Sequence, residues 1–531
     1  MKFHILILFL LLFQLVNAQQ SIDVKHYDLS ISIEDTTDVI LVTEKIILHL
    51  NEQSNSFGLN LVNQDADGTG MRISLIQFQD DSLQYFHKDN ILQINLPQGL
   101  ELKSKQIECI IHYSGIPKDG LVIGENKYGK RTFFGDNWPT RAQNWFACID
   151  HPSDKATIDF HIKAPSHYDI VAVGEKISEK LVSNNRKVTN YSLRHPIPTK
   201  VMVFGAADFS HKEIAIKNDL SIQSWVYQED SLASYSDLEV AVDPLDFFIQ
   251  KIAPYPFDKL ANVQSTTRFG GMENAGCIFY DENAFSGEHQ MENVIAHEIA
   301  HQWFGNSASE SDWQHLWLSE GFATYLTNCH LENKYGKEAM NQHLQLERER
   351  VIQFESQIKS PVIDTISENL MDLLNPNSYQ KGSWFLHMLR NRLGDEAFWK
   401  GIQHYYKKYR YSNASTNDFR AIMELQNKSS LKTFFNQWLK GNEMPNLTVK
   451  VKKKCRKRIV TIAQIQNQPF FFPLEIEITE DGTKRIILLQ FTPKIKSIDL
   501  TLSKKSARVI KLDPNTKLLF KETPPVVFQK Q

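Results

Sequence analysis

The stretch His297-Glu298-Ile299-Ala300-His301, followed by Leu316-Trp317-Leu318-Ser319-Glu320-Gly321, decides how the rest of the chain is read. On a helix, residues four apart lie one turn apart on one face, so His297 and His301 can aim both imidazoles at a single cation. Two histidines leave a tetrahedral site incomplete, and a catalytic zinc takes a third protein ligand and keeps a position for water. Glu320 is the third ligand in this reading. Eighteen residues separate it from His301, enough for one helix to end and a second to return a carboxylate. Glu298 neighbours a ligand but lies off its face, which suits a general base better than a ligand. The plainer alternative is an amphipathic core helix, since Ile295, Ile299 and Trp303 recur at i, i+4 and would form a buried stripe with or without a metal. With 18 histidines in 531 residues, a chance His-Glu-x-x-His is uncommon, and a glutamate at one set later position makes it rarer. The donor set points to one zinc per chain and to hydrolytic chemistry.

Two further segments bear on that chemistry. In Gly270-Gly271-Met272-Glu273-Asn274 the two residues without side chains permit a peptide backbone to come close. A plain turn is the alternative, but Glu273 in an otherwise apolar segment favours a substrate edge. In Tyr379-Gln380-Lys381-Gly382 nothing local marks the tyrosine, and on these residues alone it reads as a core side chain.

Together these segments resemble the gluzincin zinc aminopeptidases, the group of alanyl and leucyl aminopeptidases and leukotriene hydrolase. His297 to Asn306 reads His-Glu-Ile-Ala-His-Gln-Trp-Phe-Gly-Asn, as in that family. Gly270 to Asn274 resembles its Gly-x-Met-Glu-Asn exopeptidase signature, and Tyr379 to Gly382 its catalytic-tyrosine segment, all in the family's order. The resemblance runs from about residue 21 to 450. It implies a zinc held by His297, His301 and Glu320, with Glu298 and Tyr379 as catalytic residues. It also implies that Gly270, Gly271, Met272, Glu273 and Asn274 bind the free amino end of a peptide whose first residue is removed. In the family, a Gln-x-Glu/Asp segment ahead of an Asp-x-Pro pair helps hold that amino end. Asp150-His151-Pro152 is present here, but the matching upstream residues are Asp136-Asn137-Trp138, a departure that leaves Asp136 as the candidate. A metalloendopeptidase and a non-catalytic peptide-binding protein on the same fold are the alternatives. Glu273 speaks against the first, and the intact Glu298 and ligands against the second. Epoxide hydrolysis, found in one branch of the family, is a remote third.

Length and pattern divide the chain. Met1 to Ala18 carries Lys2, an apolar run from about Ile5 to Val16, and small residues before the expected cut. This is a secretory signal, too short to span a bilayer, so an exported protein, periplasmic or secreted, is expected after cleavage near Ala18. From 19 to 209 the period is two (Leu29, Ile31, Ile33; Ile46, Leu48, Leu50), which predicts an antiparallel β domain; the resemblance makes it the family's amino-terminal saddle. From 210 to 441, strands at Leu220 to Val226 and Ala261 to Gln264 and a helical stretch around Leu238 to Ile252 precede helices from Leu316 to Leu439, with breaks at Gly336, Pro361, Pro376 and Gly394. The resemblance makes this a thermolysin-like zinc catalytic domain. From 442 to 531 the period returns to two, with strands near Leu447, Ile459, Leu474, Ile486 and Ile498 and an Asp481-Gly482 turn, which predicts a small C-terminal β-sandwich. The expected fold class is α+β and multidomain. Because the chain ends there, it is expected to be a short form without the large helical domain that roofs the site in many family members.

The net charge of −3 and the ordinary composition describe a globular protein. Cys109, Cys148, Cys277, Cys329 and Cys455 are scattered and form no disulfide framework, so buried thiols are expected. Residues 446–531 hold 18 Lys and Arg against 7 Asp and Glu, most densely from Lys450 to Arg458. A basic patch can serve nucleic acid, but a catalytic metallopeptidase argues against that partner. A solvated strand, or docking on the acidic catalytic domain, is expected instead. The expected partners are peptides with a free N-terminus, no nucleic acid, and no membrane span in the mature chain; a monomer is favoured.

Overall fold

The computed structural model describes residues 22–50, 54–79, 81–97, 106–217, 219–427, 429–454, 457–480, 483–492, 495–502 and 508–523. The expected leader, the Asp481-Gly482 turn and Cys455 lie outside them. Packing divides the chain into two compact units. The first comprises 1–249, 254–312 and 409–414; the second comprises 250–253, 313–408 and 415–531.

In the first unit the period-two segments form an eight-stranded sheet in the order Glu175–Val182, Arg186–Pro198, Lys155–Pro165, Ile22–Ser32, Ile40–Leu50, Gln106–Ile116, Gly70–Phe78, Asp81–Ser82. Ile22–Ser32 buries Ile22 and Val24, then Tyr27, Leu29 and Ile31. The phase change is a bulge between Val24 and His26, where one extra residue flips the alternation. The next strand buries Ile40, Val42, Glu44, Ile46, Leu48 and Leu50, so a glutamate occupies a core position. A four-stranded and a three-stranded sheet complete this β-rich part.

A five-stranded sheet follows, in the order Phe209–Lys217, Leu220–Tyr227, Lys259–Ser265, Cys277–Asp281, Gly271–Met272. Its three middle strands are parallel. Lys259–Ser265 is buried along its whole length, as a parallel strand covered on both faces must be. Gly271–Met272 is the edge, paired antiparallel through Tyr280 and Phe279. Helix α1, Glu292–His301, comes next in the chain. The helical stretch expected around Leu238 to Ile252 is present in pieces: Ser231–Leu238, a 3-10 turn Glu239–Ala241, and Val242–Lys251. A short strand, Ser412–Ala414, pairs in parallel with Ala308–Glu310 and interrupts the run of helices expected up to Leu439.

The second unit is helical, then β. It contains α2 (Trp317–Tyr335), α3 (Lys337–Gln357) and α4 (Gly382–Leu393). Gly336 (φ 87°) and Gly394 (φ 82°) end α2 and α4 in a backbone region that costs only glycine little. The expected C-terminal strands form a four-stranded sheet, Ser497–Leu502, Lys457–Gln464, Asn446–Lys454, Lys521–Glu522, and a three-stranded one, Thr483–Phe491, Phe472–Glu480, Arg508–Leu512. The strands Arg508–Leu512 and Lys521–Glu522 were not expected from the period, because they are short, the first interrupted by charge and the second charged throughout. Lys450 and Lys452 of the basic run are exposed. Among the described residues no helix is long and apolar enough to cross a membrane.

Candidate metal centre and substrate edge

The amphipathic stripe of α1 leaves room for the histidine pair. Ile295, Ile299 and Trp303 are fully buried, as the amphipathic stripe demands, and the histidines lie on another face. The Nε2 atoms of His297 and His301 are 3.0 Å apart, with the ring planes at 82°. His301 Nδ1 lies 3.1 Å from the carbonyl oxygen of Phe304. A carbonyl can only accept, so that contact puts the proton on Nδ1 and leaves the Nε2 lone pair facing His297. Two imidazole nitrogens so close need a proton or a cation between them. Backbone-anchored Nδ1–H with an unprotonated Nε2 is also the tautomer that metal-ligating histidines use. The donor chemistry therefore fits zinc.

Glu298 is buried, and its carboxyl lies against the edge strand at Gly271. A Cβ built on Gly271 would overlap the Glu298 carboxyl, so only glycine at 271 leaves that carboxyl its place. Gly270 is exposed, with nothing within 4 Å of where its Cβ would be. Met272, Glu273 and Asn274 are all buried. The Glu273 carbonyl accepts from Gln302 Nε2 at 3.0 Å and Asn306 Nδ2 at 2.5 Å. Gln302 also donates to the Glu298 carbonyl (3.1 Å) and accepts from the Gly276 N–H (2.8 Å). Buried Lys155 donates to the carbonyls of Asn306 and Ser307, at 3.1 and 2.8 Å, and burial pushes its amine pKa well down. None of these braces was assigned a role from sequence. Gln302 had a signal, since it follows Glu298 by four and so shares its helix face.

Asp136, the sequence candidate for the amino end, is engaged elsewhere. Its Oδ1 accepts from Arg141 Nη2 at 2.5 Å and its Oδ2 lies 3.3 Å from Arg268 Nε. Arg141 thus holds Oδ1, while Oδ2 has the approach of Arg268 and no hydrogen bond among the described residues.

In the second unit Glu320 lies in the first turn of α2, 4 % exposed, its carbonyl accepting from the Thr324 hydroxyl at 2.7 Å. Tyr379, half-buried, sits in a π-helical turn, Asn377–Lys381, that runs directly into α4. A Cβ on Gly321 would lie 2.9 Å from Gly382 Cα, so the pair of glycines lets that turn meet the segment carrying Glu320. Among the described residues, His297, His301 and Glu320 are the one group of His, Cys, Asp and Glu side chains able to share a metal ion.

Comparison with known proteins gives the class first. The peptidase family M1 domain matches residues 236–438 and the peptidase M1 N-terminal domain matches residues 23–201; the chain belongs to family M1. Individual relatives come next. The chain is 27 % identical to the human glutamyl aminopeptidase over 416 residues, 74 % of this chain and 43 % of that protein. It is 29 % identical over 329 residues to aminopeptidase M1 of Arabidopsis thaliana (59 % of this chain, 37 % of that one). With aminopeptidase M1-A of Oryza sativa subsp. japonica it shares 30 % over 331 residues, again 59 % and 37 %. The chain thus spans less than half the length of these relatives.

Proposed function

We propose that this chain is a zinc-dependent aminopeptidase, removing the first residue from peptides with a free amino end. The observation that carries the reading is the crossing of α1 with the edge strand: the Glu298 carboxyl fills the space left at Gly271, two residues before Glu273. Family membership and the names of the relatives support it. His297, His301 and Glu320 would hold the metal. Bound there, zinc would supply Lewis-acid polarisation of the scissile carbonyl and acidify a water.

The residues do the rest. Glu298 takes the proton from the attacking water and returns one to the leaving amine. The Tyr379 hydroxyl donates to the developing oxyanion, an interaction whose loss typically costs about 2.7–4 kcal/mol of barrier. Glu273 receives the substrate's ammonium, with the backbone from Gly270 to Asn274 as the edge along which the peptide lies. Residues 19–209, 210–441 and 442–531 would be the amino-terminal saddle, the thermolysin-like catalytic domain and a small β-sandwich. Export after cleavage near Ala18 is part of the same proposal.

The test combines metal and substrate. Purified protein is expected to hold near one equivalent of zinc, lost in His301→Ala and in Glu320→Ala. Wild type is expected to cleave aminoacyl p-nitroanilides and refuse their N-acetylated forms. A charge-assisted bond to the ammonium is worth about 1.5–3 kcal/mol, so Glu273→Ala should lower kcat/KM roughly ten- to a hundred-and-fifty-fold with zinc retained. Equal cleavage of free and acetylated substrates would replace the aminopeptidase by an endopeptidase.

A further inference from the structure

We propose that Arg268 is a positioning residue: by bridging Asp119 and Asp136 it anchors the approach to Gly270-Gly271-Met272-Glu273, and so sets where Glu273 meets the substrate's amino end. This rests on the aminopeptidase reading and adds to it a residue outside the signatures.

The edge strand is held unequally at its two ends. On the far side Met272 is buried and paired with Phe279, and the Glu273 carbonyl takes two side-chain hydrogen bonds, from Gln302 and Asn306. On the near side Gly270 and Gly271 have no side chains to pack; Gly271 pairs with Tyr280, and the Gly270 carbonyl accepts from the Asp281 N–H at 3.3 Å. The side chains that hold that side are those of Arg268 and Phe269. Arg268 Nη2 donates to Asp119 Oδ1 at 2.7 Å, and its Nε lies 3.3 Å from Asp136 Oδ2. Phe269 packs edge-on against Trp138 (6.4 Å between centroids) and lies 5.9 Å from the Arg141 guanidinium.

The receiving side is rigid. Asp136 is fully buried, and Arg141 links Asp136 (2.5 Å), Asp119 (3.0 Å) and the Trp138 carbonyl (2.6 Å). Two aspartates and two arginines alternate, so the cluster is neutral and offers no net charge to a substrate side chain. Arg268 itself is half exposed, where ion pairs contribute little stability, and Asp136 keeps Arg141 when Arg268 is removed. The forked guanidinium is therefore better explained by the geometry it imposes than by stability, since it reaches two carboxylates at once, one through a hydrogen bond and one through an ion pair.

The test uses the full-length zinc enzyme with alanyl and glutamyl p-nitroanilides, their N-acetyl forms, zinc content and Tm. Arg268→Ala is expected to keep its zinc, shift Tm by no more than ~2–4 °C, and lower kcat/KM roughly ten- to a hundredfold. The loss should fall mainly on KM, should be alike for both aminoacyl groups, and should come with weaker rejection of acetylated substrate. Arg268→Lys should fall between the two. An unchanged KM and unchanged rejection in Arg268→Ala would overturn the proposal, as would a loss confined to the glutamyl substrate, which would mean direct contact. Wild type that cleaves free and acetylated substrates alike would instead overturn the aminopeptidase reading itself, before any variant is compared.

Discussion

At the scale of single residues, one missing methyl group carries much of the proposed chemistry. From sequence, Gly270 and Gly271 read alike, as room for a substrate backbone. In the fold they differ: Gly270 faces open space, whereas Gly271 faces the Glu298 carboxyl across 27 positions of sequence. Gly271→Ala is accordingly expected to retain zinc and displace the proposed general base. A shift of about 1 Å in such a group can cost about 10²-fold in rate, measurable as kcat at full metal occupancy. Gly270→Ala is expected to leave kcat near wild type. Glu298→Gln, which cannot accept a proton, should keep the metal and lose about 10²–10⁴-fold. Wild-type turnover in Gly271→Ala would show that Glu298 is free to stand elsewhere. Local sequence could reveal the His-Glu-x-x-His face because that pattern is contained within one helix. It could not reveal the approach of Arg268 to Asp136, because Arg268 lies 132 residues away.

At the scale of elements, the turn that carries Tyr379 depends on a buried ion pair. Lys381 Nζ lies 2.6 Å from Glu355 Oε1, and both side chains are almost wholly buried, tying the π-helical turn to α3. The period of the sequence marks helices here and Pro376 marks a break, but not the wider π turn. That turn arises where Gly321 and Gly382 let backbones touch, a contact between segments distant in sequence. Such turns are common at functional sites because they swing one side chain out of the helical register. Removing one partner of a buried pair leaves an uncompensated charge and typically costs about 3–5 kcal/mol. Lys381→Met is therefore expected to lower the unfolding midpoint markedly and to reduce turnover through Tyr379. Lys381→Met combined with Glu355→Leu should recover most of the stability, since no charge is then stranded. If the double variant were no more stable than the single one, the pair would not be what holds the turn. The long helices were legible because apolar periodicity and the glycine stops act locally. The strand Ser412–Ala414 was not, because three residues carry no period and its partner is over a hundred residues back.

At the scale of the whole molecule, the first unit buries carboxyls whose pKa values burial raises. Glu44 takes an inward position in the alternation of Ile40–Leu50, and burial pushes its pKa up to about 8, despite bonds to Oε2 from the Tyr113 hydroxyl (2.7 Å) and the Ala147 N–H (2.9 Å). Its Oε1 has no hydrogen-bond partner, which suits a neutral acid. Burial likewise raises Asp150 and Asp154 to about 7. Each acid is ionised in the unfolded chain above about pH 4 but stays protonated in the fold until its raised pKa. The native state thus binds more protons than the unfolded one, so stability is fully present below pH 4 and falls as pH rises through 7 and 8. Half-buried His87 and His151, whose pKa values desolvation lowers, act in the opposite sense, but only below the ordinary histidine value near 6.5. Between about pH 6.5 and 8 each carboxyl contributes a slope of up to ~1.4 kcal/mol per pH unit. Buried Lys155 and Lys259, whose pKa values burial lowers, act in the opposite sense, so the Glu44 contribution is read as a difference between wild type and a variant. Glu44→Gln keeps an acceptor for both donors and cannot ionise, so it should remove about one proton's worth of slope. Zinc binding adds its own pH dependence, but it is common to both proteins and cancels in the difference of slopes. Parallel slopes in denaturant titrations of wild type and Glu44→Gln would mean that Glu44 is already charged in the fold, and that its inward position is stabilised by something other than its proton.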